Sequence, residues 1–130
     1  MFIAAQPRKL NVVIVSPAVA SANNGNWQTA QRWGRFLARA YSVRLSKAWD
    51  SGDESMLIAL HARRSAASVA AWRSTYPHRP ILLVLTGTDL YRDIDKDKAA
   101  RQSIRLADGL IVLNELGAQR LAPEDQAKTT

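Results

Sequence analysis

Three short, predominantly apolar runs constrain this chain more than anything else in it. Leu10 to Val15 reads LNVVIV, Met56 to Leu60 reads MLIAL, and Ile81 to Leu85 reads ILLVL. None alternates apolar with polar, so none has the pattern of a strand with one wet face. Each is too short for a core helix, and each reads as a strand buried on both sides. Strands of that kind need helices above and below them, and the intervening sequence has the matching period. From Asn26 onward, Ala30, Trp33, Leu37, Ala40 and Tyr41 recur at helical spacing, with Asn26 as the expected N-cap. Arg32, Arg35 and Arg39 form a stripe along another side of that helix, where a solvated surface is the ordinary reading.

The remaining elements follow the same logic. Ser42 to Leu45 is a short second strand, and Asp50-Ser51-Gly52-Asp53-Glu54 is turn chemistry. Ser65 is expected to cap a helix carrying Val69, Ala70 and Trp72. That helix must stop before Pro77, because a residue preceding proline avoids the α region. A helix over roughly Lys96 to Ala107 leads to a fifth strand, Leu110 to Leu113. Asn114 opens a last short helix that ends near Leu121, and Glu124 to Thr130 has no periodicity. The β-α-β order predicts an α/β fold: a Rossmann-like open, mainly parallel sheet with flanking helices. The link between the second and third strands is too short for an ordinary crossover helix.

A chain of 130 residues is the size of one domain, 1–130. It stops where a further strand of such a sheet is expected, which reads as the N-terminal part of a longer protein. A composition of 47% hydrophobic and 22% charged residues excludes a disordered chain. No apolar run approaches the roughly eighteen residues that cross a bilayer. Arg8 and Lys9 interrupt the N-terminus before any signal-peptide core forms, so the expected compartment is the cytoplasm. There is no cysteine, and the two histidines are His61 and His78, so no metal site is expected. A net charge of +7 favours anionic partners. The arginines are spread along the chain rather than blocked together, which counts against a nucleic-acid arm.

In an open parallel sheet, ligands bind at the carboxyl ends of the strands. Three such ends are chemically unusual. After the first strand, Asn24-Gly25-Asn26 joins a glycine that allows close backbone approach to a helix start suited to a phosphate. The same residues also make a plain capping turn, and GxGxxG is absent. After the third strand, His61 is either a general base or a hydrogen-bond donor, with Arg63 and Arg64 able to clamp an oxyanion. A structural histidine beside surface charge fits the same residues. After the fourth strand, Thr86-Gly87-Thr88-Asp89 and Arg92 suit a polar ligand, or a turn in which Asp89 caps the next segment.

Three segments together resemble one family. They are Asn24-Gly25-Asn26 with Thr29-Ala30 and Arg32-Trp33, then Ala59 to Ala66 (ALHARRSA), then Leu85 to Asp93 (LTGTDLYRD). In order and spacing, from about Leu10 to Lys128, the chain is similar to the selenosugar synthase branch of the retaining two-domain (GT-B) glycosyltransferases. The resemblance implies an acceptor-side N-terminal domain, with a C-terminal domain that binds the nucleotide sugar. It implies transfer of an N-acetylhexosamine from its UDP donor to selenophosphate, giving a 1-seleno-sugar. No metal and no cofactor are implied, since the UDP-sugar is a co-substrate. Asn26 corresponds to an acceptor contact, and Gly25 to the close approach near the donor diphosphate. His61, Arg63 and Arg64 correspond to one motif of the branch, and Thr88, Asp89 and Arg92 to its second. Thr86 departs from the wider superfamily, where many relatives carry histidine before the glycine that Gly87 matches. Two rival expectations stand beside this one. They are a glycosyltransferase domain with an ordinary sugar or phospho-polyol acceptor, and a non-enzymatic domain that binds anions or nucleic acid.

Overall fold

The computed structural model describes residues 10–16, 25–49, 51–85, 97–112, 123–126 and 128, with backbone alone for 25–27, 124 and 126. In chain order the elements are β1 (Asn11–Val15), α1 (Gly25–Leu37), β2 (Ser42–Ser46), β3 (Met56–Leu60), α2 (Ala66–Thr75), β4 (Ile81–Leu85), α3 (Lys98–Leu106), β5 (Gly109–Val112) and α4 (Pro123–Gln126). The strands form one five-stranded sheet in the order β2-β1-β3-β4-β5, parallel throughout. This is a Rossmann-like α/β fold, as the three apolar runs predict.

Side-chain alternation divides the core in two. Val13, Val15, Leu57, Ala59, Ile81, Leu83, Leu85 and Leu110 point to the side covered by α2 and α3, where they meet Val69, Trp72, Ala100 and Ile104. Val12, Ile14, Ile58, Leu60 and Val84 point to the side of α1, where they meet Ala30 and half-buried Trp33 and Leu37. Register is tightly held, because a slip by one residue would exchange two apolar sets of different shape.

The short link between β2 and β3 contains no helix among its described residues. Trp49 does the packing that a crossover helix would do, 3% exposed and seated in the α2–α3 core. Its ring lies 5.0 Å from Trp72 and 5.9 Å from Tyr76, edge-on or tilted, the favourable arrangement of aromatic quadrupoles. Its indole N–H donates to Glu54 at 2.9 Å and its backbone N–H to the Ser68 hydroxyl at 3.0 Å. Glu54 is buried, and Arg44 donates to it at 3.0 Å through Nη2. Gly52 turns the link at φ 148°, where a Cβ would run into the Glu54 carboxylate, and its carbonyl accepts from the Tyr76 hydroxyl.

Several local expectations need correction. α1 begins at Gly25, so Asn26 lies inside the first turn and not at the cap, and the helix ends at Leu37. Ala40 is therefore in a turn, although Tyr41 still donates its N–H to the Leu37 carbonyl at 2.8 Å and packs on the α1 core. Ser65 stands at the N-cap of α2, but its hydroxyl makes no capping bond; it donates to the Leu60 carbonyl at 2.5 Å. The strand end beneath it competes for the hydroxyl more effectively than the helix amides. α3 starts at Lys98 rather than Lys96, because Asp97 caps it by accepting from the Ala100 N–H at 2.9 Å. β2 extends to Ser46, and β5, described over Gly109–Val112, begins one residue earlier than expected, while Leu113 lies outside the described residues.

The stretch read as aperiodic contains α4, whose four residues are too few to show a period. Proline at its first position and the acidic pair after it fit a helix start. Just beyond it, the Lys128 ammonium donates to the carbonyls of Ile104 at 2.6 Å and Ala107 at 2.8 Å. The Lys128 carbonyl accepts from the Leu110 N–H of β5 at 2.9 Å. The helix expected from Asn114 to Leu121 lies outside the described residues.

Candidate functional site at the carboxyl edge of the sheet

Strand order reverses between β1 and β3, since the chain runs from β1 out to β2 and then returns to β3 on the other side. In doubly wound sheets the crevice beyond the carboxyl ends at that reversal is where ligands bind. Here Val15 pairs with Ala59, so the edge is formed by Ser16 beyond β1 and by Leu60 and His61 at the end of β3.

Ser16 is fully buried and holds the edge to β2 through its N–H, which donates to the Ser46 carbonyl at 2.8 Å. Alternation from Val12 and Ile14 puts its side chain on the α1 face of the sheet. Its hydroxyl has no hydrogen-bond partner, the one such buried side-chain atom among the described residues. An unpaired buried hydroxyl costs on the order of 1–3 kcal/mol, so a polar ligand is the natural partner for it. α1 must run back along β1 to reach parallel β2, which brings its amino end to this same edge and face. The positive end of the helix dipole favours negative charge there. Ser16 was missed as a site residue in the sequence. Its only signal is position, a serine at the end of a buried run, and that says nothing about pairing.

His61 turns the chain from β3 into α2. It is 2% exposed and adopts φ 76°, a left-handed conformation unusual outside glycine. Its N–H donates to the Val84 carbonyl at 3.0 Å and its carbonyl accepts from the Ser65 N–H at 3.0 Å. Nδ1 accepts from the Arg64 N–H at 3.1 Å. A backbone amide can only donate, so Nδ1 keeps its lone pair and the neutral ring carries its proton on Nε2. In that tautomer His61 is a hydrogen-bond donor through Nε2.

Arg63 and Arg64 lie exposed in the turn that follows, at the same edge. Gly25 and Asn26 are in the first turn of α1. Asn24, Thr86, Gly87, Thr88, Asp89 and Arg92 lie outside the described residues. Among the described residues no group of three His, Asp or Glu is arranged to hold a metal, and no helix is long and apolar enough to cross a membrane.

Fold and edge together define a doubly wound, Rossmann-like α/β domain with a buried, unpaired serine hydroxyl where its strand order reverses. No protein-family model matches the chain, and no curated protein matches it either.

Proposed function

We propose that this chain is the acceptor-side domain of a two-domain glycosyltransferase of the selenosugar synthase type. It works together with its own C-terminal domain, which holds UDP-N-acetylhexosamine. The observation that carries the reading is the buried, unpaired Ser16 hydroxyl at the β1/β3 edge, on the face from which the amino end of α1 points. Among the described residues, that edge offers donors and no buried carboxylate, as an anionic acceptor requires. Arg63 and Arg64 would add charge and fork geometry to its rim, next to His61 at the end of β3.

Selenium of selenophosphate attacks the anomeric carbon; the Se–C bond forms as the bond from that carbon to the UDP oxygen breaks, and UDP leaves with the electron pair. Hydrolysis then removes the phosphoryl group and leaves the 1-seleno-sugar. An anionic selenium nucleophile needs no strong general base, so a neutral, donating His61 is compatible with the step. The reading makes the protein a cytoplasmic enzyme that uses neither a metal nor an organic cofactor.

The test uses the enzyme carrying both domains, with UDP-N-acetylglucosamine and selenophosphate, and measures UDP release and product mass together. A selenosugar mass that requires both substrates is the expected result. UDP release with a sugar or phospho-polyol acceptor alone would remove selenium from the reading, and no release with any acceptor would remove glycosyl transfer. Arg63→Ala and Arg64→Ala should each reduce kcat/KM for the acceptor by about 10–150-fold, the range of a lost charged hydrogen bond of about 1.5–3 kcal/mol.

A further inference from the structure

On their outer sides, α1 and α3 carry the same pattern of charge. Lys98, Arg101, Gln102 and Arg105 stand exposed along α3, and Arg32, Arg35, Phe36 and Arg39 along α1 and the turn that follows it. Each set is spaced i, i+3, i+4 and i+7, so each forms one line along its helix. On α1 that line lies opposite the packed side, where Ala30 is fully buried and Gly34 lies against Leu45 of β2. The Ala38 N–H donates to the Gly34 carbonyl at 2.9 Å and the Tyr41 N–H to the Leu37 carbonyl at 2.8 Å. Those bonds continue the helical winding past Leu37 and keep Arg39 on the crest.

The two crests differ in one respect. Where α3 has Gln102, α1 has Phe36, 71% exposed with cations before and after it. Other cations are neutralised within the fold, Arg44 by Glu54 at 3.0 Å and Arg73 by Asp108 at 2.7 Å. Among the described residues no carboxylate pairs with Arg32, Arg35 or Arg39, and α1 contains no acidic residue. A lone exposed phenylalanine is ordinary on a protein surface, and so is a basic helix face. Their coincidence on one convex ridge favours an occupant that is anionic over its surface and apolar just beneath it. A lipid headgroup layer has that profile, with phosphates at the depth of the guanidinium groups and acyl chains below. Leu10, the other large apolar side chain exposed among the described residues, precedes β1 and lies off this helix. One ring is less than the apolar core of a protein–protein interface, and single nucleic-acid strands are held by stacking on successive aromatics.

We propose that the outer crest of α1 is a peripheral membrane contact, with Phe36 entering the interface of an anionic bilayer between arginines that meet its phosphates. Contact through three charges and one ring is weak and reversible, since stable anchoring takes a second signal. Neither Ser16 nor His61 is part of the crest, and the proposal does not rest on the glycosyltransferase reading.

The full chain is titrated with vesicles of phosphatidylcholine alone and of phosphatidylcholine with about one third phosphatidylserine, and the bound fraction is read by sedimentation. Binding should appear with phosphatidylserine and be at least about tenfold weaker without it. Arg32→Gln/Arg35→Gln should weaken it about 30-fold, at about fivefold for each basic residue near an anionic surface. Phe36→Ser should weaken it by at least about threefold, while Phe36→Trp keeps it, because an indole sits well at headgroup level. Arg101→Gln/Arg105→Gln removes the same charge from α3, across the sheet, and should change binding by less than about twofold. All these side chains are exposed, and unchanged urea midpoints verify that the variants stay folded. Binding to neither vesicle, equal binding to both, an α3 pair as damaging as the α1 pair, or indifference to Phe36→Ser would each overturn the proposal. Mixed-sequence RNA or polyglutamate that binds through the same residues more tightly than the vesicles would also overturn it, in favour of a soluble polyanion.

Discussion

Two single residues at the strand ends carry opposite expectations for stability. The Ser16 hydroxyl is buried without a partner, so it contributes nothing to the fold that alanine would not. Ser16→Ala should leave stability unchanged or raise it by up to about 1 kcal/mol in urea unfolding, while, on the proposed glycosyltransferase reading, lowering acceptor use. A clear loss of stability would show that the hydroxyl is paired in solution and would remove its claim on a ligand. His61 is the reverse case. Its left-handed backbone and its bond to the Arg64 N–H both serve the turn into α2. Asparagine tolerates that conformation and can accept the same N–H, whereas a β-branched residue does neither. His61→Val should therefore be less stable than His61→Asn by about 2 kcal/mol or more, compared by denaturant midpoints at equal slope. Equal midpoints would mean that the turn relaxes without strain.

Among the elements, the link between β2 and β3 departs most from the pattern of the fold. A parallel connection normally brings a helix to cover the sheet, and here Trp49 takes that place through its rings and two hydrogen bonds. Trp49→Ala should cost about 3–5 kcal/mol, the range for removing a large aromatic from a core. Trp49→Phe keeps most of the apolar burial but leaves the Glu54 carboxylate short of a donor, and should cost an intermediate amount. If the two were equally damaging, the indole bond to Glu54 would outweigh the filled volume. Arg79 strengthens the same region, stacked 3.9 Å over Tyr76 while it donates to the carbonyls of Asp53 and Glu54 at 3.0 and 2.9 Å. At the start of α3, Asp97→Ala should lose about 1 kcal/mol, the usual cost of a missing N-cap bond.

Across the whole molecule, the far end of the chain closes the sheet edge at β5. Lys128 holds the last carbonyls of α3 and presents its own carbonyl to Leu110, joining residues 18 and more positions apart. The Leu110 amide should exchange with solvent far more slowly in the whole chain than in one ending at Gln126. Lys128→Met should cost about 1.5–3 kcal/mol through the charged hydrogen bonds it removes. Sequence by itself determined the strands and the sheet type. Runs such as MLIAL and ILLVL are apolar at every position, and only a strand covered on both faces can bury such a run. It also determined the helical period of α1 through α3, since that period is local and repeats within each helix. The carboxyl edge was legible as a place, because the strand ends at His61 and Ser16 follow from those runs. Only tertiary structure decided that Ser65 turns from capping α2 to bonding Leu60, and that Trp49 replaces a helix. It alone left the Ser16 hydroxyl unpaired and brought Lys128 to α3. Each of these is a choice among partners distant in sequence or competing for one group. A local pattern fixes which way a side chain points, but only the assembled layers fix what it meets.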